Sequence, residues 1–188
     1  MKGESFTPSE HHFFDIAEDS TKISQADADL FQQFVAQLLY LSKRARPDIQ
    51  LAVSLLCTRV RGPDTYDYKK LVMVMKYIQG TIGLTLILSI DKSGNIKWYV
   101  DASFAFHKDM RSHTGGLMTM GKGGAYVNSR KQKLNNKSST EEELVGVDDV
   151  LTQVIWNRYF LKEQGYMIHH NVIYQDNQIA IRLEKNGK

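Results

Sequence analysis

From Asp29 onward the apolar residues recur three and four apart: Leu30, Phe31, Phe34, Val35, Leu38, Leu39 and Leu41 line one side of a helix. Arg46-Pro47-Asp48 interrupts that pattern. Pro47 suits the first position of a second helix, Ile49 to about Val60, because a first turn has no intrahelical partner for the missing N–H. Gly62-Pro63-Asp64 is the next break, and a third helix runs through Leu71, Val74, Met75 and Ile78 to Gly80. Residues 29–82 therefore read as a small helical subdomain. Residues 1–28 mix Glu, Asp, Ser, Thr and His without a period and read as a flexible acidic arm.

At Gly83 the period shortens to two. Leu84, Leu86, Leu88 and Ile90 alternate before the turn Asp91-Lys92-Ser93-Gly94-Asn95. Strands are expected from Ile96 to about Phe106, His113 to Met120 and Ala125 to Ser129, the last two joined by Gly121-Lys122-Gly123-Gly124. Ser138-Ser139-Thr140 starts a helix that runs to about Lys162 and stops at Gly165. Its stripe is Leu144, Val147, Val150, Leu151, Val154 and Ile155. A strand at Asn171–Asp176 and a short last helix complete the order. Strands followed by helix, strand and helix describe an α/β domain over 83–188, a mixed sheet with flanking helices.

Composition narrows the class without naming a function. Of the 188 residues, 42% are hydrophobic and 24% charged, as in ordinary globular chains. No apolar run reaches membrane-spanning length and the start lacks a signal-peptide core, so neither membrane association nor secretion is expected. The single cysteine, Cys57, excludes an internal disulfide and fits a reducing, cytoplasmic setting; its neighbours Leu55, Leu56 and Val60 mark it as a small apolar residue. The net charge of +3 divides into −5 over residues 1–30 and +8 over the remainder, a distribution suited to a polyanion ligand.

Two predicted strands end alike, in Tyr99-Val100-Asp101 and Tyr174-Gln175-Asp176. Residues i and i+2 share a strand face, so parallel neighbours would set the two tyrosines in one row and the two aspartates in the next, about 4.8 Å apart. Carboxylates that close share a proton or a cation. A third acid comes from Glu141-Glu142-Glu143. In helical phase Glu143 borders the apolar stripe, whereas Glu141 and Glu142 are expected to face solvent. Three hard-oxygen ligands suit Mg²⁺, and a pair of such ions can assist phosphodiester hydrolysis. Other readings stand beside this one. Thr140-x-x-Glu143 fits a capping box, acids in a first turn suit the helix dipole, and Asp176-Asn177 fits an N-cap. Asp101 amid Trp98, Val100 and Phe104 is harder to explain away, because an unpaired carboxylate in apolar surroundings is costly. Asp148 and Asp149 lie within a helical pattern and read as surface acids. Neither the glycines at 121–124 nor the histidines fit a phosphate loop or a zinc spacing. Arg130, Lys131, Lys133 and Lys137 are either solvated surface or a phosphate contact beside the acids.

These residues also carry a resemblance. Leu38-Leu39-Tyr40-Leu41, Arg46-Pro47-Asp48-Ile49 and Tyr77-Ile78-Gln79-Gly80-Thr81 resemble the segment that links reverse transcriptase to ribonuclease H in copia-type retrotransposon polyproteins. Val100-Asp101-Ala102-Ser103, Ser112-His113-Thr114-Gly115-Gly116, Lys131-Gln132-Lys133, Ser138-Ser139-Thr140-Glu141-Glu142-Glu143-Leu144 and Asp176-Asn177-Gln178-Ile179-Ala180 resemble successive motifs of the ribonuclease H part. The resemblance implies a ribonuclease H-like fold and Mg²⁺-dependent cleavage of RNA in RNA–DNA hybrids, with Mn²⁺ as a substitute ion. It also implies Asp101, Glu143 and Asp176 as catalytic metal ligands, nucleic-acid contacts at Arg130, Lys131, Lys133, Ser139 and Asn177, and the parent polyprotein's reverse transcriptase domain as a partner. Ser103 and Phe104 depart from the family, which often has an acid and a tryptophan there. The family also continues past the point matched by Lys188 to a helix with a fourth acid. The expectation is thus an incomplete domain with weak or absent cleavage on its own, or else a non-catalytic nucleic-acid-binding remnant.

Overall fold

The computed structural model describes residues 5–15, 19–107 and 109–186 and divides the chain into two compact units, 1–86 and 87–188. In the first, α1 (Gln25–Arg44) is capped by Ser24, whose side chain accepts from the Asp27 N–H. A 3₁₀ turn at Pro47–Ile49 leads into α2 (Gln50–Arg59). Asp64 and Asp67 form a reciprocal capping box at the start of α3 (Thr65–Gly80), and Arg59 Nε donates to Asp67 Oδ2 at 2.9 Å. Phe31, Val35, Ile49, Val53, Leu56 and Val74 pack between the helices. Buried Arg46 holds Asp48 and the Thr81 carbonyl, which ties the break after α1 to the end of α3. Part of the expected arm belongs to this core: Phe13 is buried, the Lys70 ammonium lies over its ring, and the same ammonium donates to the Asp15 carbonyl. The first helix also begins at Gln25, inside the segment expected to be irregular.

The second unit is a four-stranded sheet with two helices, a mixed α/β arrangement. β1 (Ser89–Ile90) pairs with β4 (Gly121–Lys122) in a separate two-stranded sheet. β2 (Asn95–Ser103), β3 (His113–Thr119), β5 (Tyr126–Lys131) and β6 (His170–Tyr174) form the sheet in the order β5-β3-β2-β6. β3 is antiparallel to both its neighbours, and β6 is parallel to β2. Ile96, Trp98 and Val100 alternate toward α4 (Ser139–Glu163) and meet Val147, Val150 and Val154. Contact is close because Gly116 has no side chain: a Cβ there would lie 2.8 Å from Val150 Cγ1. The buried face of α4 is narrower than its apolar stripe, since Leu151 and Ile155 are exposed. α5 (Gln178–Asn186) follows β6.

The alternation at 84–90 does not make a full strand. Among the described residues only Ser89 and Ile90 of this run find a ladder partner, and Leu84, Leu88 and Ile90 are exposed, because the period supplies a face but not a neighbouring edge. β2 likewise ends at Ser103, before a turn in which Ala105 takes φ 50°. Among the described residues no helix is long and apolar enough to cross a membrane.

Candidate metal centre

The register of β2 with β6 pairs Tyr99 with Tyr174, and their rings stack with centroids 4.9 Å apart. Two residues beyond each tyrosine stand Asp101 and Asp176, both exposed. The repeated Tyr-x-Asp thus becomes two adjacent rows at the C-terminal ends of parallel strands, where open α/β sheets commonly place their sites.

The first turn of α4 brings the third acid. Ser138 is the N-cap, accepting from the Glu141 N–H at 3.2 Å, and Glu141 in turn accepts from the Lys137 N–H. Capping therefore falls to Ser138 and Glu141, not to Thr140 and Glu143. Asn177 Oδ1 accepts from the N–H groups of Ile179 and Ala180, so Asp176 is not the cap of α5. With capping accounted for, one oxygen each of Asp101, Glu143 and Asp176 lies within 4.8 Å of the others. Glu143 is buried at 5% exposure. Burial pushes its carboxyl above the usual range, the Gln175 hydrogen bond opposes this, and the charges of Asp101 and then Asp176 add to it.

This donor set fits a hard divalent cation. All three donors are carboxylates, and two of them reach solvent, from which an ion and its waters can enter. The 4.8 Å span slightly exceeds twice the roughly 2.1 Å Mg–O distance.

Glu142 corrects the helical-phase expectation. It is buried at 3% exposure, and Ser112 Oγ donates to its Oε2 at 3.0 Å. Burial raises its carboxyl pKa, the Ser112 hydrogen bond opposes this, and the charge of Asp101 adds to it. The helix period locates the apolar face of α4 but not the polar residues that close over its first turn. Glu141 is exposed, as expected. Asp149 is not a plain surface acid either: it accepts from Thr114 Oγ1 at 3.0 Å and pairs with Arg130.

The expected nucleic-acid contacts are dispersed in role. Arg130 is engaged with Asp149, and Lys131 donates to Asp109 Oδ2 at 2.6 Å. Lys133 and Ser139 are exposed, and Asn177 caps α5. Beside Lys131, His113 is buried, with His107 Nε2 3.0 Å from its Nδ1 and Ser129 Oγ 2.7 Å from its Nε2. Gln132 and Gln175 also contact the first turn of α4, a role that residue type alone does not mark. Strand alternation does carry a signal for Gln175, since it sets that residue on the face opposite Tyr174 and Asp176.

Comparison with known proteins places this geometry in context. The chain is 32% identical over 158 residues to "Retrovirus-related Pol polyprotein from transposon TNT 1-94" of Nicotiana tabacum, a match covering 84% of the chain and 12% of that protein. It is 30% identical over 162 residues to "Retrovirus-related Pol polyprotein from transposon RE2" of Arabidopsis thaliana, covering 85% and 11%. A match of 30% identity over 125 residues to "Secreted RxLR effector protein 161" of Plasmopara viticola covers 65% of the chain and 87% of that protein. The chain spans only 12% and 11% of the two polyproteins' lengths. No protein-family model and no solved structure matches it. The homologues of the chain, at 28–32% identity over most of its length, are thus retrovirus-related Pol polyproteins of copia-type transposons.

Proposed function

We propose that the second unit is a ribonuclease H-like domain that hydrolyses the RNA strand of RNA–DNA hybrids with Mg²⁺ or Mn²⁺, acting beside the reverse transcriptase domain of its parent polyprotein. The observation that carries this reading is the convergence of Asp101, Glu143 and Asp176 within 4.8 Å. They come from a strand, a helix and the end of a parallel strand, in the motif order of the ribonuclease H family. A divalent ion bound there supplies charge stabilisation to a phosphodiester under attack by water. The protein's own part is geometric. Asp101 and Asp176 would hold the ion through their exposed oxygens, on the side open to a phosphate, and Glu143 would hold it from the helix side. Lys133 and the other exposed cations offer a salt-sensitive contact to the nucleic-acid backbone.

The test uses hybrid, duplex DNA and duplex RNA labelled on one strand, with Mg²⁺ or EDTA, together with calorimetric Mg²⁺ titration. Expected are saturable Mg²⁺ binding and scission that is slow at most and confined to the RNA strand of the hybrid, both lost with EDTA and in Asp176→Asn. Hybrid binding without scission and with a flat Mg²⁺ titration would replace this reading by that of a non-catalytic nucleic-acid-binding module. Equal cleavage of all three substrates would overturn the hybrid specificity.

A further inference from the structure

Two glutamines from opposite edges of the sheet grip consecutive residues in the first turn of α4. Gln132 follows β5 and is buried at 1% exposure. Its Nε2 donates to the Glu142 main-chain oxygen at 3.0 Å and to Thr114 Oγ1 of β3 at 2.9 Å, and Asn136 donates to its Oε1. Its backbone N–H donates to the Ser112 carbonyl, and Ser112 in turn holds the Glu142 carboxylate. Gln175 follows β6. Its Nε2 donates to the Glu143 main-chain oxygen at 3.1 Å and to Glu143 Oε2 at 3.2 Å.

We propose that Gln132 and Gln175 are positioning residues that fix Glu143 against the strands bearing Asp101 and Asp176, so that divalent-cation affinity depends on both amides. The inference rests on the metal-site reading. A carbonyl oxygen has two lone pairs, so each can keep its helical hydrogen bond and accept a second from outside the helix. The Gln175 amide can be oriented only one way, because reversal would set its Oε1 against two oxygens of Glu143. In the observed orientation that Oε1 is buried without a partner among the described residues, so the side chain is satisfied only where it serves Glu143. The choice of glutamine also has a reason. A lysine or arginine in either place could donate the same bonds, but its charge would compete with a cation for the carboxylate.

The experiment measures Mg²⁺ and Mn²⁺ affinity by calorimetry on the full chain, with circular dichroism on each variant. Gln132→Met and Gln175→Met keep the length and remove the amide. Each is expected to weaken cation binding about ten- to a hundredfold while the fold is retained, the range found when an outer partner of a metal ligand is removed. Gln153→Met removes an amide further along α4, where it donates to Asn157, and is expected to keep the parent affinity. Gln132→Asn, which keeps an amide on a shorter stem, serves if Gln132→Met does not fold, and is expected to weaken binding less than tenfold. Folded glutamine variants with the parent affinity would overturn the proposal, because a merely structural role lowers the melting temperature without moving the dissociation constant. Absence of binding in the parent chain itself would instead overturn the metal-site reading on which the proposal stands.

Discussion

Replacing Glu143 by Gln removes one negative charge from the cluster while keeping the side chain's shape. Its oxygen lies within 4.8 Å of oxygens of Asp101 and Asp176. At an effective dielectric constant of about 40, between bulk water and a partly buried site, each such pair repels by roughly 1.7 kcal/mol. The substitution abolishes two of the three repulsions, and physiological salt screens the sum of roughly 3.5 kcal/mol to about 2. The new amide nitrogen must find a partner where a carboxylate oxygen stood, a cost of about 1 kcal/mol. The net expectation is that Glu143→Gln stabilises the metal-free second unit by about 1 kcal/mol, or roughly 4–8 °C for a unit of this size. Mg²⁺ reverses the order. At ten times its dissociation constant the ion stabilises the parent by about 1.4 kcal/mol, whereas the variant gains little. Tryptophan fluorescence reports this unit alone, because Trp98 and Trp156, the two tryptophans of the chain, both lie in it. Melts in EDTA and in Mg²⁺ therefore form a complete test. A variant that melts below the parent in EDTA would refute the repulsion argument, and one that gains as much from Mg²⁺ would refute the shared ion.

Two further outcomes follow from groups outside the carboxylates. Burial pushes His113 from 6.5 down to about 4, and His107 adds to the effect. The stability its neutral ring contributes is therefore complete above pH 6.5 and is lost as pH falls toward 4, on the order of 3 kcal/mol in all. Melting temperature should fall more steeply over that window in the parent than in His113→Gln, and parallel curves would argue against a buried neutral ring. At the helix–sheet contact, Gly116→Ala sets a Cβ 2.8 Å from Val150 Cγ1 and should cost about 1–3 kcal/mol in a thermal melt. Adding Val150→Ala should then cost less than it does in the parent, and strictly additive losses would show that the two sites do not touch.

The helices of the first unit and most strands of the second were legible because each is written in a local period. Leu71, Val74 and Ile78 mark one helix face, and Trp98 and Val100 mark one strand face, whatever lies elsewhere in the chain. The same holds for the Tyr-x-Asp repeat and for the inward phase of Glu143. What the period could not convey is which edge meets which. The alternation at 84–90 looks like that of β2, yet it leaves Leu84, Leu88 and Ile90 exposed because only Ser89 and Ile90 find a partner. Phe13 carries no period at all and still packs into the helical core. Glu142 has the phase of a solvent-facing residue, but Ser112, 30 residues earlier, returns to accommodate it in the interior. The parallel register of β2 with β6 and the hydrogen bonds of Gln132 and Gln175 to α4 were likewise settled by tertiary structure. Hydrophobic periodicity records how a segment divides apolar from polar, a property of neighbours along the chain. The partners that satisfy a buried carboxylate or carbonyl come from remote segments, and only the closed fold selects among them.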